Sequence, residues 1–320
     1  MQAPITIEQI EYTENFLASG DVEGALSMLL DLVDEVEDFA KERCQATDEV
    51  QYFSFGSDFE LLAYKRVEQD PRRLVLMDAP FDRLYSDLAY AYLKQQDLGL
   101  AKNALMQAVR WNPMDCAYRL DLAEVYYALE DEQQWAALSL SVVERAADAR
   151  SLGCAYANLG RYFMEEAERE GGSDEGGDAG AEGGAEGSGA IEAASACRRL
   201  ALQYAPSEQR VQRFANDMRN EHAELAEEDE ETVMEALRGE GVPLGPNAEV
   251  VICLLTCATD AARADDVDEA TRLTVRARDL VGQETCAELV KLIRQNDAEL
   301  ARDRLKEQDT GTDGGAAKGE

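Results

Sequence analysis

The chain has 320 residues, and 45% of them are hydrophobic, which is enough to build a continuous core. Its formal net charge is −35 at pH 7. So acidic a chain is not expected to bind nucleic acid, because phosphate recognition needs clustered Lys and Arg. The charge serves either to keep the protein soluble or to attract a basic partner.

The amino-terminal residues show no targeting pattern. Residues 1–8 contain neither a basic region nor an apolar run, so we expect no secretory signal. The longest apolar runs, such as residues 250–255, fall far short of the roughly 18 residues that a membrane span requires. Seven scattered cysteines, an odd number, argue against a disulfide framework. These features predict a soluble, cytoplasmic protein that does not associate with a membrane.

Residues 1–40 are predicted to form a degenerate helical hairpin. Its turn is Gly20-Asp21, and its apolar positions are Tyr12 and Phe16 on the first helix and Ala25, Leu29 and Leu32 on the second. Residues 41–80 do not follow this pattern and are interpreted as an irregular, aromatic-rich connector. No part of the chain shows a convincing strand pattern.

The connector contains an aromatic block at residues 52–59. Phe53, Phe55 and Phe59 lie within seven positions of one another. The block either folds down as a plug that seals one end of the helical array or stays exposed as a docking segment. We favour the plug, because three exposed rings would form an unusually large apolar patch.

Residues 81–221 carry the most regular pattern, with three copies of one helical hairpin. The first copy, from Asp82 to Asp115, has apolar positions at Tyr85, Leu88, Ala89 and Tyr92, then at Ala101, Leu105 and Ala108, and closes at Pro113. The second copy starts 34 residues later at Cys116, and its second helix is interpreted as one residue late, with Ala136, Leu140 and Val143. The third copy starts near Gly153 and carries Tyr156, Leu159, Gly160 and Phe163, then Ala194, Ala201 and Pro206.

This pattern resembles the tetratricopeptide repeat (TPR), a helix-turn-helix unit of 34 residues. The resemblance implies an all-α, right-handed α-solenoid in which stacked hairpins bury a shared core. Residues 52–66, placed before such repeats, resemble a group of bacterial TPR proteins whose cellular role is not established.

In TPR proteins the first helix of each hairpin lines a concave groove that receives a peptide or a partner helix. Carried onto this chain, the groove residues are Arg83, Ser86, Asp87, Tyr90, Lys94, Leu120, Asp121, Glu124, Tyr127, Asn158, Arg161 and Glu165. The TPR clamp for carboxyl-terminal peptides needs Lys, Asn and Arg where this chain has Ser86, Tyr90 and Asp121. Asp121 and Glu124, with Tyr90 and Tyr127 beside them, instead predict a basic or amide-rich, partly aromatic ligand. The alternative is that these are ordinary solvated side chains.

A tract of Gly, Ser, Ala, Asp and Glu at residues 171–189 has nothing to bury and is predicted to be a disordered acidic insertion in the third hairpin. A linker between domains is the alternative. Residues 222–308 are predicted to hold degenerate helices and a cap, the last helix covering roughly 284–306, and residues 309–320 a disordered tail.

Chemistry-bearing residues are sparse. The single histidine, His222, stands in an acidic segment, and Cys253 and Cys257 lack the further ligands that a zinc site needs. There is no glycine-rich phosphate loop. We therefore expect no catalytic, cofactor or metal site. The sequence favours a non-catalytic protein- or peptide-binding adaptor; the alternatives are a TPR-type signalling regulator that binds a peptide or partner helix and, more remotely, a helical-repeat enzyme. It leaves the oligomeric state open.

Overall fold

The structure, a computed structural model, describes residues 3–172, 186–221 and 229–296. It is mostly helical, as predicted for an all-α chain. The chain divides into two compact units, Met1–Val250 and Val251–Glu320. Each unit is described by itself below.

The elements follow one another in a regular order. The first unit contains α1 (Ile7–Ser19), α2 (Val22–Arg43), β1 (Val50–Phe53), α3 (Asp58–Val67), β2 (Arg73–Leu76), α4 (Phe81–Lys94), α5 (Leu98–Trp111), α6 (Cys116–Ala128), α7 (Glu132–Val143), α8 (Ala149–Gly172), α9 (Glu186–Tyr204), α10 (Gln209–Glu221) and α11 (Glu230–Gly239). The unit boundary falls near the start of α12 (Ala248–Arg263), and the second unit continues with α13 (Val267–Val281) and helical residues 283–296.

One turn geometry joins the two helices of four hairpins. In each, a residue with positive φ ends the first helix, and the next residue donates its N–H to the carbonyl five positions earlier. That next residue is always an aspartate whose carboxylate accepts the N–H three positions later, which caps the second helix. The four residue pairs are Gly20-Asp21, Gln96-Asp97, Glu130-Asp131 and Asp265-Asp266.

The turns set the register of the first two predicted repeats. The carbonyls of Tyr92 and Tyr126 accept the same hydrogen bond, each at 3.0 Å. Both rings are half-buried and pack against one core. Leu88 and Leu122, also 34 positions apart, are 5% and 4% exposed. The two hairpins therefore have the same local geometry.

This equal spacing corrects one sequence interpretation, because the second helix of the second hairpin does not start late. Asp97 and Asp131 cap α5 and α7 at positions 34 apart. The counterparts of Ala101, Leu105 and Ala108 are therefore Trp135, Ser139 and Val142, all buried, whereas the expected Ala136 and Leu140 are only half-buried. Ala101 fills this position in the first hairpin, whereas the Trp135 ring fills it in the second.

Helices α4 to α9 each pack against the next helix along the chain, and α11 packs against α9. In addition, α4 packs against α1, α8 against α6, and α10 against α8. Three pairs of first helices therefore lie beside one another, namely α1 with α4, α6 with α8, and α8 with α10.

The third hairpin consists of α8 and α9. Ala194 and Ala201 are fully buried, and the Phe214 ring of α10 covers Gly160 of α8. The ends of the predicted disordered insertion, residues 171–172 and 186–189, are helical, contrary to the prediction. Residues 173–185, which form most of it, lie outside the described residues.

The connector before the repeats contains two short strands, so the prediction that the chain has no strand is wrong here. Strands β1 and β2 pair in parallel, with Val50 opposite Arg73, and α3 crosses over between them. Each strand has four residues, too few for an alternating pattern to stand out in the sequence.

The aromatic block folds inward. Phe53 and Phe59 are 2% and 3% exposed, and Phe55 is half-buried. The Phe53 ring stacks on Phe55 at 4.9 Å and meets Tyr64 at 4.5 Å. The exposed docking segment is therefore excluded, and the rings are buried as the plug hypothesis requires.

In the second unit, Leu254, Leu273, Ala277 and Leu280 are buried. The predicted last helix is observed as far as residue 296. Within the described ranges, no helix is long and apolar enough to cross a membrane. His222, residues 297–308 and the predicted tail at 309–320 lie outside the described part of the chain.

Candidate functional site

The twelve predicted groove residues lie on α4, α6 and α8, where two further side chains join them. These are Glu14 of α1 and Arg210 of α10. Together the fourteen residues are called the first-helix face. Of the predicted residues, three are exposed (Tyr90, Lys94, Asp121), seven are half-buried (Arg83, Ser86, Asp87, Glu124, Tyr127, Arg161, Glu165) and two are buried (Leu120, Asn158).

At the α1–α4 end of this face, an ion pair links two first helices. Arg83 Nη2 donates to Glu14 Oε1 at 2.6 Å. About two to three turns further along α4, the Lys94 ammonium lies 4.9 Å from the centroid of the Tyr90 ring. The Arg83 charge is therefore already neutralised by the protein, while Tyr90 and Lys94 stay accessible.

Asp87 lies on the same stretch of α4. Its Oδ2 is buried and makes no hydrogen bond to the described part of the chain. Burial, together with the nearby charge of Glu14, raises the pKa of Asp87 to about 7, although Arg83 opposes the rise. Asp87 is therefore a carboxyl group that the protein keeps poorly hydrated without supplying a partner.

Asp121 stands 34 positions after Asp87, at the equivalent place on α6. Its side chain is exposed, yet the surrounding protein limits its hydration and so raises its pKa, against the effect of Arg210.

Farther along, α6, α8 and α10 are joined by polar contacts. Arg210 Nη1 lies 3.0 Å from Glu124 Oε1 and also donates to Asn158 Oδ1 at 3.4 Å. Arg161 donates to the Tyr127 hydroxyl at 3.1 Å, and its guanidinium lies 5.2 Å from the centroid of that ring. These arginines are therefore occupied within the protein.

The buried members of the predicted set do not face a ligand. Asn158 is 2% exposed and donates to Ser139 Oγ at 3.2 Å, so it joins α8 to α7. Leu120 belongs to the core. The sequence pattern missed Arg210 because the TPR offsets carried over from α4 and α6 do not select its position on α10, and it missed Glu14 because the N-terminal hairpin was not assigned to the groove.

A second cluster, which the sequence did not predict, is buried where the connector meets the repeats. Asp82 is 5% exposed, and its Oδ2 accepts hydrogen bonds from Asn112 at 3.1 Å and from the Tyr118 hydroxyl at 3.3 Å. Its Oδ1 lies 3.2 Å from Ser54 Oγ. The cluster therefore links α4 and α6 to the residues that directly follow β1 and α5. Its members are too far apart in sequence for a local pattern to reveal it.

Ser54 ties this cluster to the segment that precedes α4. Its Oγ donates to the Ala79 carbonyl at 2.5 Å and accepts from the Phe81 N–H at 3.0 Å. Burial raises the pKa of Asp82, although the hydrogen bond from Asn112 opposes the rise.

A pocket of about 530 Å³ lies beside this cluster. Its walls come from the start of α1, the end of β1 and the segment between β2 and α4. Across the residues that the structure describes, no group of three or more His, Cys, Asp or Glu side chains is arranged to hold a metal ion.

Comparisons with known proteins give no family assignment. No protein-family model matches the chain, and a search of curated proteins finds no significant match. The functional assignment therefore depends on the geometry described above.

Proposed function

We propose that this chain is a non-catalytic protein- or peptide-binding scaffold of the TPR type, and that its first-helix face takes a basic, extended ligand. The repeated turns, the 34-residue spacing and the packing of neighbouring first helices support the scaffold. The cytoplasm is the compartment that we assign to it.

The way in which charged side chains are paired on the first-helix face supports a basic ligand. Arg83 is paired with Glu14, Arg210 with Glu124, and Arg161 with the Tyr127 ring and hydroxyl. Asp87 Oδ2 is buried without a hydrogen bond to the described residues, and burial raises the pKa of both Asp87 and Asp121. This imbalance carries the proposal, because a ligand that brings N–H donors and positive charge would satisfy both carboxyl groups.

Aromatic contact adds to the recognition. Tyr90 is 44% exposed beside Asp87 on α4, and the half-buried Tyr127 ring packs on Trp135 at 4.6 Å. Rigid rings beside carboxylates suit Lys and Arg side chains, whose apolar stems cover ring faces while their heads reach the acids.

The buried polar cluster around Asp82 is the kind of site that an enzyme would use, but we assign it a structural role. The Ser54 hydroxyl hydrogen is committed to the Ala79 carbonyl, and Asn112 and Tyr118 both donate to the same carboxyl oxygen. The Glu60 carboxylate beside Asn112 accepts the Gly56 N–H at 2.6 Å, so it too is engaged in holding the backbone.

Fluorescence anisotropy with defined peptides tests the proposal. The probe is a labelled hexapeptide of alternating Lys and Tyr, and its counterpart has Glu in place of Lys. Asp121→Lys should weaken binding of the Lys peptide by roughly tenfold or more, since it places like charges together at the face, and added salt should weaken binding to the parent protein.

The matched control is Asp31→Lys, which makes the same charge change at an exposed position on α2. It should leave the affinity within about twofold of the parent, because charges beyond one Debye length are largely screened. Equal losses for the two variants, or equal affinity of the parent for the Lys and Glu peptides, would rule out the proposed face.

A further inference from the structure

The pocket beside Asp82 lies at the carboxyl ends of the two parallel strands. Residues 54–56 follow β1, and residues 77–80 follow β2. The carboxyl edge of a parallel sheet is where such sheets commonly bind ligands, because the chain leaves the sheet there and opens a crevice. At about 530 Å³ the pocket has room for a small organic molecule or one long side chain.

The polar lining of the pocket is acidic. Glu8, Asp78 and Asp82 contribute carboxyl groups, and Arg83 is the one cation among the described lining residues. Arg83 Nη2 forms an ion pair with Glu14 Oε1 at 2.6 Å, so its positive charge is neutralised by a residue outside the pocket lining. The interior therefore favours a positively charged ligand over an anion.

Two helices start at the pocket, and their amide groups could in principle attract an anion. One N–H at each start already has an acceptor within the protein. The Thr6 N–H donates to Gln9 Oε1 at 2.8 Å, and the Phe81 N–H donates to Ser54 Oγ at 3.0 Å. The carboxyl groups of Glu8 and Asp82 stand in the first turns of the same helices, and their negative charge opposes the binding of an anion there.

The remaining wall is apolar and firmly held. Ile5 and Met77 are 2% and 6% exposed, and the Phe55 ring is fixed by stacking on Phe53. Such a wall suits the hydrocarbon part of a ligand, whereas the carboxyl groups suit a cationic head. Asp82, at 5% exposure, is the most deeply placed of the three acids, all of which line the pocket.

We propose that this pocket binds an alkylammonium or alkylguanidinium group, with the cationic head toward the exposed carboxylates of Glu8 and Asp78 and the alkyl stem against Ile5, Phe55 and Met77. The group can belong to a free amine or to a Lys or Arg side chain of a peptide. The proposal does not depend on peptide binding at the first-helix face.

The test is a titration of the full chain with n-butylamine, followed by NMR chemical shifts or calorimetry. Butyramide and butyrate serve as neutral and anionic probes of the same length. We expect n-butylamine to bind at millimolar concentration or better and the other two to bind at least about fivefold more weakly, since the pocket offers carboxyl groups but no free cation. Butyrate or butyramide binding as well as the amine would overturn the proposal, and so would the absence of amine binding.

Variants then locate the site. The double change Glu8→Gln with Asp78→Asn removes two exposed carboxylates from the pocket and should weaken amine binding by about three- to tenfold. The control is Glu23→Gln with Asp58→Asn, which makes the same changes at exposed first-turn positions of α2 and α3 outside the pocket. Equal affinities of the two double variants would refute the location.

The single variant Asp78→Asn leaves α1 untouched and should shift the affinity in the same direction, so the test does not rest on the integrity of that helix. A capped lysine, Nα-acetyl-lysine amide, then separates the two sources. Binding as tight as that of n-butylamine supports a peptide side chain as the occupant, and much weaker binding supports a free amine; both results keep the cation site.

Discussion

The Phe214 ring of α10 lies directly over Gly160 of α8, so closely that a Cβ at position 160 would overlap the ring. Cys197 of α9 closes the same space, with its Cβ 3.0 Å from where the new atom would stand. Gly160 therefore allows three helices to meet at one point.

We predict that Gly160→Ala destabilises the protein by about 1–3 kcal/mol, because the added methyl group overpacks this junction. Urea unfolding followed by circular dichroism measures the change. Gly189→Ala is the matched control, since Gly189 is also helical and a Cβ there meets nothing within 4 Å. That variant should be neutral or more stable by up to about 1 kcal/mol; the same loss in both variants would contradict the packing.

Leu88 and Leu122 should respond alike to truncation, because they occupy equivalent buried positions in successive hairpins. Each change to Ala should reduce the free energy of unfolding by about 2–5 kcal/mol through lost burial and the cavity left behind. Leu100→Ala removes the same atoms from a side chain that is 44% exposed and should change it far less. Chemical denaturation compares the three variants, and a Leu88→Ala curve that overlays the parent curve would count against the shared core.

Substitutions at two turn residues with positive φ should change the stability of the protein in opposite directions. Glu130 has φ of 59° and Gly20 has φ of 87° in equivalent turns. Glu130→Gly should stabilise the protein by up to about 1 kcal/mol, and Gly20→Ala should destabilise it by about 1 kcal/mol, because a Cβ is strained in the left-handed region. Thermal melts of the two variants check the signs, and shifts in the same direction would show that the turns are not equivalent.

Asp87 predicts how stability depends on pH. Burial raises its pKa to about 7 in the folded chain, against about 3.9 when the chain is unfolded. The folded state therefore holds this proton more tightly, so the stability it provides is fully present below about pH 4 and is lost as pH rises through 7. Asp87→Asn, which cannot ionise, should gain melting temperature relative to the parent between pH 4.5 and 7.5.

The control for that comparison is Asp31→Asn on the exposed side of α2. Its melting temperature relative to the parent should vary far less over the same range than that of Asp87→Asn. A difference between Asp87→Asn and the parent that stays constant with pH would show that the carboxyl group is well hydrated.

Local patterns were enough to predict the hairpins. The spacing of Leu88, Ala89 and Tyr92, repeated at Leu122, Ala123 and Tyr126, indicates helices because one face of a helix recurs every three or four residues. The register of α7 was harder to predict, since Trp135 occupies the place of Ala101. Packing between helices constrains the total volume of the side chains that meet at one position. A large residue can therefore replace a small one when the neighbouring side chains leave room for it.

The sequence by itself determined where helices form, which faces they bury and that the surface is acidic, because these properties depend on residues that are neighbours along the chain. Only the tertiary structure decided that Glu14 and Arg210 complete the first-helix face, and that Ser54 meets Asp82 beside a pocket. Those contacts join segments that are dozens of residues apart. Periodicity along the chain specifies local structure only, so it does not show which distant segments pack together.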